Sequence, residues 1–164
     1  MRQGIVDLGI RGEFCLVYAG GIRNGADIAK AIALGADAIA IGHSAMMALN
    51  CNKDIPEANY PEEIGAEPGY CYHCHTGRCP VGVATQDPEL RTRLDPDEAA
   101  ERVYNFLHTL TIEAQLFARA CGKTHLHSLE PEDLAALTME ASAMAGVPLA
   151  GTNHTVGIED YHHL

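Results

Sequence analysis

The chain has 164 residues, 47% of them hydrophobic, enough for one compact domain but short of the about 250 that a complete (β/α)8 barrel usually takes. A formal net charge of -11 is the wrong sign for neutralising phosphates along a nucleic acid, so no DNA or RNA partner is expected. No apolar run reaches the roughly 18 residues of a membrane span and the N-terminal MRQGIVD has no signal-peptide core, so the expectation is a soluble cytoplasmic protein without a membrane partner.

In chain order, residues 14–19 are an apolar, β-favouring run ending in two glycines, which predicts a buried strand. Residues 25–34 carry Ile28, Ala31 and Ile32 at helical spacing and stop at Gly35. Residues 38–41 are a second short apolar run. Strand, helix and strand within about thirty residues make a βαβ unit, and the two strands are expected to be parallel. Residues 43–49 can begin another helix with Ser44 as its cap. Residues 50–69 are rich in proline and acids and lack periodicity, which predicts a surface loop. Asp95, Pro96 and Glu98 together form a strong helix start, and Val103, Phe106, Leu107, Leu110, Ala114 and Phe117 follow as a core-facing stripe until Gly122. A further helix is expected from about Pro131 through Leu134, Leu137, Ala141 and Met144 to Gly146. Residues 151–164 are polar and expected to fray. Cys15 and Cys121 sit in apolar surroundings and are expected to be buried small side chains.

Between the first strand and its helix runs Ala19-Gly-Gly-Ile-Arg-Asn-Gly25. Two glycines let the backbone approach an anion, the helix N-terminus adds partial positive charge, and Arg23 offers a planar charged donor. The second strand ends in Gly42-His43-Ser44, again a glycine before a helix. Paired loops after adjacent strands are the usual phosphate seat of a barrel. The string from Ala19 to Gly42 resembles the closing strands of FMN-dependent barrels, including glutamate synthases, inosine monophosphate dehydrogenases and 2-hydroxyacid oxidases. That resemblance implies that Gly20, Gly21 and Arg23 on one loop, with Gly42 and His43 on the other, hold the FMN phosphate. His43 departs from the more usual Thr or Arg.

Three of the six cysteines, Cys71, Cys74 and Cys79, fall within nine residues in the spacing C-x2-C-x4-C-P. Short loops between thiolates cost little entropy to close, and Pro after Cys also occurs in ferredoxin-type runs. The residues by themselves allow a three-iron cluster, a site with Cys51 as a fourth ligand, or zinc with His73 or His75 completing a tetrahedron. The longer string from Cys74 to Leu90, with its Cys-Pro-Val-Gly-Val-Ala-Thr-Gln, resembles the glutamate synthase signature, which implies a [3Fe-4S] cluster beside the flavin. In that family the first ligand ends an Ala-Leu-Gly-Cys stretch just before the Cys-His cysteine. Here Ala48-Leu-Asn-Cys51 is separated from Cys74 by 22 residues, so either Cys51 keeps that place or Cys71 takes it, as an extra cysteine in archaeal-type members suggests. Residues 113–134 also resemble the N-methylglutamate synthase-type branch. His125 and His127 within them are expected to have ordinary hydrogen-bonded surface roles.

The expected fold class is therefore α/β: the last two βα units of an FMN-binding (β/α)8 barrel over residues 1–50, a loop and cysteine cluster segment over 51–94, and a C-terminal helical extension over 95–164. The resemblance implies a glutamate synthase-type oxidoreductase that uses hydride from flavin N5 to reduce the imine formed from a 2-oxo acid, such as 2-oxoglutarate, and glutamine-derived ammonia or an amine. It implies a glutaminase-type subunit and an electron-donor subunit or ferredoxin as partners. Only two barrel strands are visible, so a fragment inactive by itself is expected. The alternative from another class is a small zinc-binding or interaction module without catalysis.

Overall fold

The structure is a computed structural model that describes residues 7–51, 55, 62, 64, 65, 67 and 70–157. The chain divides into two compact units, Met1–Ala40 with Thr109–Leu164, and Ile41–His108.

The first unit is α/β and is built on β1 (Val17–Ala19), α1 (Gly25–Ala33) and β2 (Ala38–Ala40). The two strands pair in parallel, Val17 with Ala38 and Ala19 with Ala40, as the βαβ pattern predicts. Asn24 caps α1 by accepting the Asp27 N–H at 2.9 Å, and the helix buries Ala29, Ile32 and Ala33 against Ala118 and Leu129. β1 is not a buried strand: Val17 is 58% and Tyr18 49% exposed. Among the described residues β2 is its sole strand neighbour. A parallel strand is buried only where both faces and both edges are covered, so β1 lies open. Cys15, just before it, is exposed, and so is Cys121, against the expectation for both.

Helix α3 (Pro96–Ala120) begins in the second unit and ends in the first; α2 is described below with its own unit. Its start is the expected one, with Asp95 Oδ1 accepting from Asp97 N–H at 3.0 Å and Glu98 N–H at 3.2 Å. It stops as expected at Gly122, where the N–H groups of Gly122 and Lys123 reach back to Arg119 O and Ala118 O. Its buried stripe is narrower and rotated: Ala99, Leu110, Ala114 and Ala118 are buried, whereas Leu107 and Phe117 are exposed. The small side chains on this stripe are what let α1 approach closely.

The single helix expected over 131–146 is interrupted. Pro131–Asp133 is one 3-10 turn closed by reciprocal bonds between Glu130 and Asp133, an extended stretch follows in which Ala136 bridges Leu149, and α4 (Met139–Ala145) starts afresh under a Thr138 cap. Local side-chain bonding at Glu130, Asp133 and Thr138 outcompetes helix continuity. Leu137 and Met144, along the expected helix, are exposed, and Ser142 is wholly buried. Its hydroxyl donates to Val147 O at 2.7 Å and accepts the Val156 N–H at 3.0 Å. Val156 is thereby pinned and buried within the segment predicted to fray. Residues 158–164 of that segment lie outside the described residues.

The second unit opens with α2 (His43–Ala48), capped by the backbone of Gly42 and not by Ser44. The helix ends in a left-handed Asn50 with φ 67°. Much of the predicted surface loop over 50–69 lies outside the described residues, but Ile55 and Ile64 within it are buried with Cys79 and Val81 in one apolar cluster. Among the described residues no helix is long and apolar enough to cross a membrane.

Candidate functional site

The second unit contains all four candidate cluster cysteines. Cys51 follows the end of α2, where its N–H donates to Met46 O at 3.1 Å and that of Asn50 to Met47 O at 2.9 Å. This paired closure fixes the Cys51 backbone. Cys79 is buried, Cys71 half-buried against the same apolar cluster, and Cys74 exposed. Burial, and then the thiols of Cys74, Cys71 and Cys79, push the Cys51 thiol up from its ordinary value. Among the described residues no three His, Cys, Asp or Glu side chains converge into a site for a single metal ion. The donor set is soft, with Cys71 and Cys79 against an apolar wall, a chemistry that fits iron with sulfide and fits zinc as well.

The segment carrying Cys74 and Cys79 is tied down at several points. His73 Nε2 donates to Ile64 O at 2.9 Å and its Nδ1 lies 3.4 Å from the Thr76 hydroxyl, so both ring nitrogens have partners within the unit. The Thr76 hydroxyl donates to His73 O at 2.9 Å. Thr85, 8% exposed, donates its hydroxyl to Gly77 O and accepts the Asp87 N–H at 3.0 Å. Arg93 Nη1 donates to Pro80 O at 2.8 Å. Neither Thr85 nor Arg93 stood out in the sequence. A threonine in an apolar stretch and an arginine in a charged one look ordinary.

The glycine loop belongs to the first unit. Gly20 and Gly21 have φ of 106° and 68°, a conformation that glycine adopts freely, and no atom lies within 4 Å of where a Cβ would stand on either. Their backbone is open to a ligand. Arg23 is 78% exposed in its side chain and bonds Asp27 Oδ2 through Nε at 3.4 Å. The Lys30 ammonium, and then the Arg23 N–H, hold the Asp27 carboxyl below the usual carboxylate range. The first turn of α1 is already in use: Gly25 N–H donates to Glu113 Oε2 at 2.6 Å and Asp27 N–H to Asn24. An anion at this loop would meet Gly20 and Gly21 rather than those two helix donors. Gly42 and His43 lie in the other unit, at the start of α2. His127 Nε2 donates to Asp37 O at 2.9 Å, an ordinary structural bond.

A family model described as "Conserved region in glutamate synthase" matches residues 1–56 and 64–124. Cys51 lies in the first matched block and Cys71, Cys74 and Cys79 in the second. The chain is 56% identical over 151 residues to a glutamate synthase large subunit-like protein of Rhizobium meliloti, covering 92% of this chain and 34% of that protein. It is 41% identical over 127 residues to an archaeal glutamate synthase (NADPH) of Methanocaldococcus jannaschii, covering 77% of this chain and 22% of the relative. It is 33% identical over 141 residues to the ferredoxin-dependent glutamate synthase 1, chloroplastic/mitochondrial, of Arabidopsis thaliana, covering 81% and 8% respectively. The chain thus spans about a third or less of the length of these relatives.

Proposed function

The chain belongs to the glutamate synthase family, and on that premise we propose that it supplies a cluster segment and the phosphate end of a flavin site to a cytoplasmic glutamate synthase-type oxidoreductase. Residues 1–50 are then the last two βα units of an FMN-binding (β/α)8 barrel, 51–94 the cluster segment and 95–164 a helical extension. The observation that carries this proposal is that Cys51, Cys71, Cys74 and Cys79 all belong to one compact unit and to the segments that match the family.

Cys74 and Cys79 with Cys71 or Cys51 would hold a [3Fe-4S] cluster, and the open backbone of Gly20 and Gly21, with Arg23, would take the FMN phosphate. The family resemblance adds Gly42 and His43 to that phosphate from sequence. When bound, FMN supplies hydride and the iron–sulfur cluster supplies single electrons, chemistry that reduces the adduct of a 2-oxo acid such as 2-oxoglutarate with glutamine-derived ammonia or an amine. The chain's own contribution is to hold the thiolates in place, to keep an apolar wall of Ile55, Ile64 and Val81 beside Cys71 and Cys79, and to present backbone donors to an anion. Ammonia would come from a glutaminase-type subunit. Electrons would come from a donor subunit or ferredoxin.

Anaerobic purification followed by iron, zinc and acid-labile sulfide assays tests the cluster. Brown protein holding iron and sulfide is expected, with iron lost in Cys74→Ala and Cys79→Ala. Colourless protein holding one zinc would favour a small metal-binding module instead. Given FMN, 2-oxoglutarate, ammonia and a chemical reductant that keeps the flavin reduced, the 164-residue chain alone is expected to form no glutamate.

A further inference from the structure

Resting on the cluster reading above, we propose that Thr85 and Arg93 are positioning residues that set the geometry and the potential of the iron–sulfur cluster. Both reach back to the Cys74–Pro80 segment from outside the cysteine motif, Thr85 to Gly77 across eight residues of chain and Arg93 to Pro80 across thirteen. Thr85 is nearly buried and spends its hydroxyl twice, on the Gly77 carbonyl between the two cysteines and on the Asp87 N–H. The loop's middle is thereby tied to the segment that follows it.

Arg93 acts one residue beyond Cys79. Its guanidinium holds the Pro80 carbonyl at 2.8 Å. Because a trans peptide is planar, the Val81 N–H of the same peptide unit points the opposite way. Val81 is buried in the apolar cluster that contains Cys79, and among the described residues its N–H has no hydrogen-bond acceptor. A buried N–H without a partner is costly, and a cluster sulfur held by Cys79 would satisfy it. Hydrogen bonds to cluster sulfur favour the reduced, more negative cluster, so Arg93, by holding the peptide that carries this N–H, raises the potential. Thr85 holds the loop shape on which that orientation depends.

The test uses the full chain reconstituted anaerobically with ferrous iron and sulfide. It reads the electron paramagnetic resonance spectrum, the midpoint potential and the rate of iron loss to a ferrous chelator. Thr85→Val, which keeps the shape and removes the hydroxyl, is expected to lose iron about tenfold faster with an altered spectrum. Thr85→Ser restores the wild-type values. Arg93→Met is expected to lower the potential, and Arg93→Lys, which keeps the charge but not the fork, to lower it less. Thr152→Val removes a similar hydroxyl bond, to Leu149 O at 2.9 Å in the other unit, and should change nothing. Wild-type spectra, potentials and iron loss in Thr85→Val and Arg93→Met would overturn the proposal. So would Thr152→Val moving the same readouts equally. Should both large changes prevent folding, a wild-type potential in Arg93→Lys overturns it. A wild-type chain that binds no iron sinks the cluster reading and this inference together, whereas iron-loaded wild type with unmoved variants sinks this inference alone.

Discussion

Asp37 takes two donors at 2.7 Å, Arg11 Nη2 on one oxygen and the Leu16 N–H on the other, and so ties the entry of β1 to the entry of β2. The Arg11 hydrogen bond, then the Leu16 N–H, hold its carboxyl below the ordinary value of 3.8. A carboxyl depressed on folding contributes stability that is present above its unfolded value and is lost as pH falls through the folded one. Asp37→Asn is therefore expected to weaken the chain at pH 7 and to match wild type more closely as pH drops below about 3.8. Urea unfolding of both proteins at neutral and acid pH checks this; an equal deficit at every pH would show that the carboxylate's charge is not what matters. At this scale the candidate cysteines Cys71, Cys74 and Cys79 stand out in the sequence because their spacing is local. Thr85 and Arg93 were not, because their partners are carbonyls, and carbonyls leave no mark on a sequence. Ser142 is a similar case: a hydroxyl in a helical stretch reads as surface, yet it is wholly buried and satisfied by Val147 O and Val156 N–H.

At the level of elements, the βαβ unit and both ends of α3 were legible because their signals are contiguous: Asn24 before α1, Asp95 and Pro96 before α3, Gly122 after it. The interrupted helix over 131–146 was not. Leu134, Leu137, Ala141 and Met144 imitate a helical stripe, and only the reciprocal Glu130–Asp133 bonds and the Thr138 cap show that the backbone leaves and restarts. The meeting of α1 with α3 was equally hidden, since Gly25 and Glu113 are 88 residues apart. A Cβ on Gly25 would collide with Ala114 N and stand 2.6 Å from Glu113 Cβ, both anchored in α3. Gly25→Ala must then push the helices apart and break the bond from Gly25 N–H to Glu113. A loss of about 1–3 kcal/mol is expected for such overpacking, measured by urea unfolding. Gly12→Ala, where a Cβ meets nothing within 4 Å, serves as the control and should stay within about 0.5 kcal/mol of wild type.

At the scale of the whole molecule, the open side of β1 in the first unit is a mismatch between chain and surroundings: Val17 is 58% and Tyr18 49% exposed. A cavity of about 1000 Å³ runs along it, lined by Leu16, Val17 and Tyr18, by Ala31 and Leu34 of α1, and by Met144 of α4. Two paired parallel strands cannot bury their own faces, and an exposed strand edge with apolar neighbours is a template for association. The relatives contain much more chain than is matched here, 34% of one and 22% of another being covered, so in proteins of that length there is material to cover such a face. Isolated, the 164-residue chain is expected to self-associate with rising concentration and to bind a dye that reports exposed apolar surface. Val17→Lys combined with Met144→Lys places two charges on the open side, and Val17 and Met144 are too exposed for the change to cost the unit its core. Sedimentation should then show a smaller species at the same concentration, and dye binding should fall. Undiminished association in the double variant would mean that the chain sticks to itself elsewhere, and that β1 tolerates water as it stands.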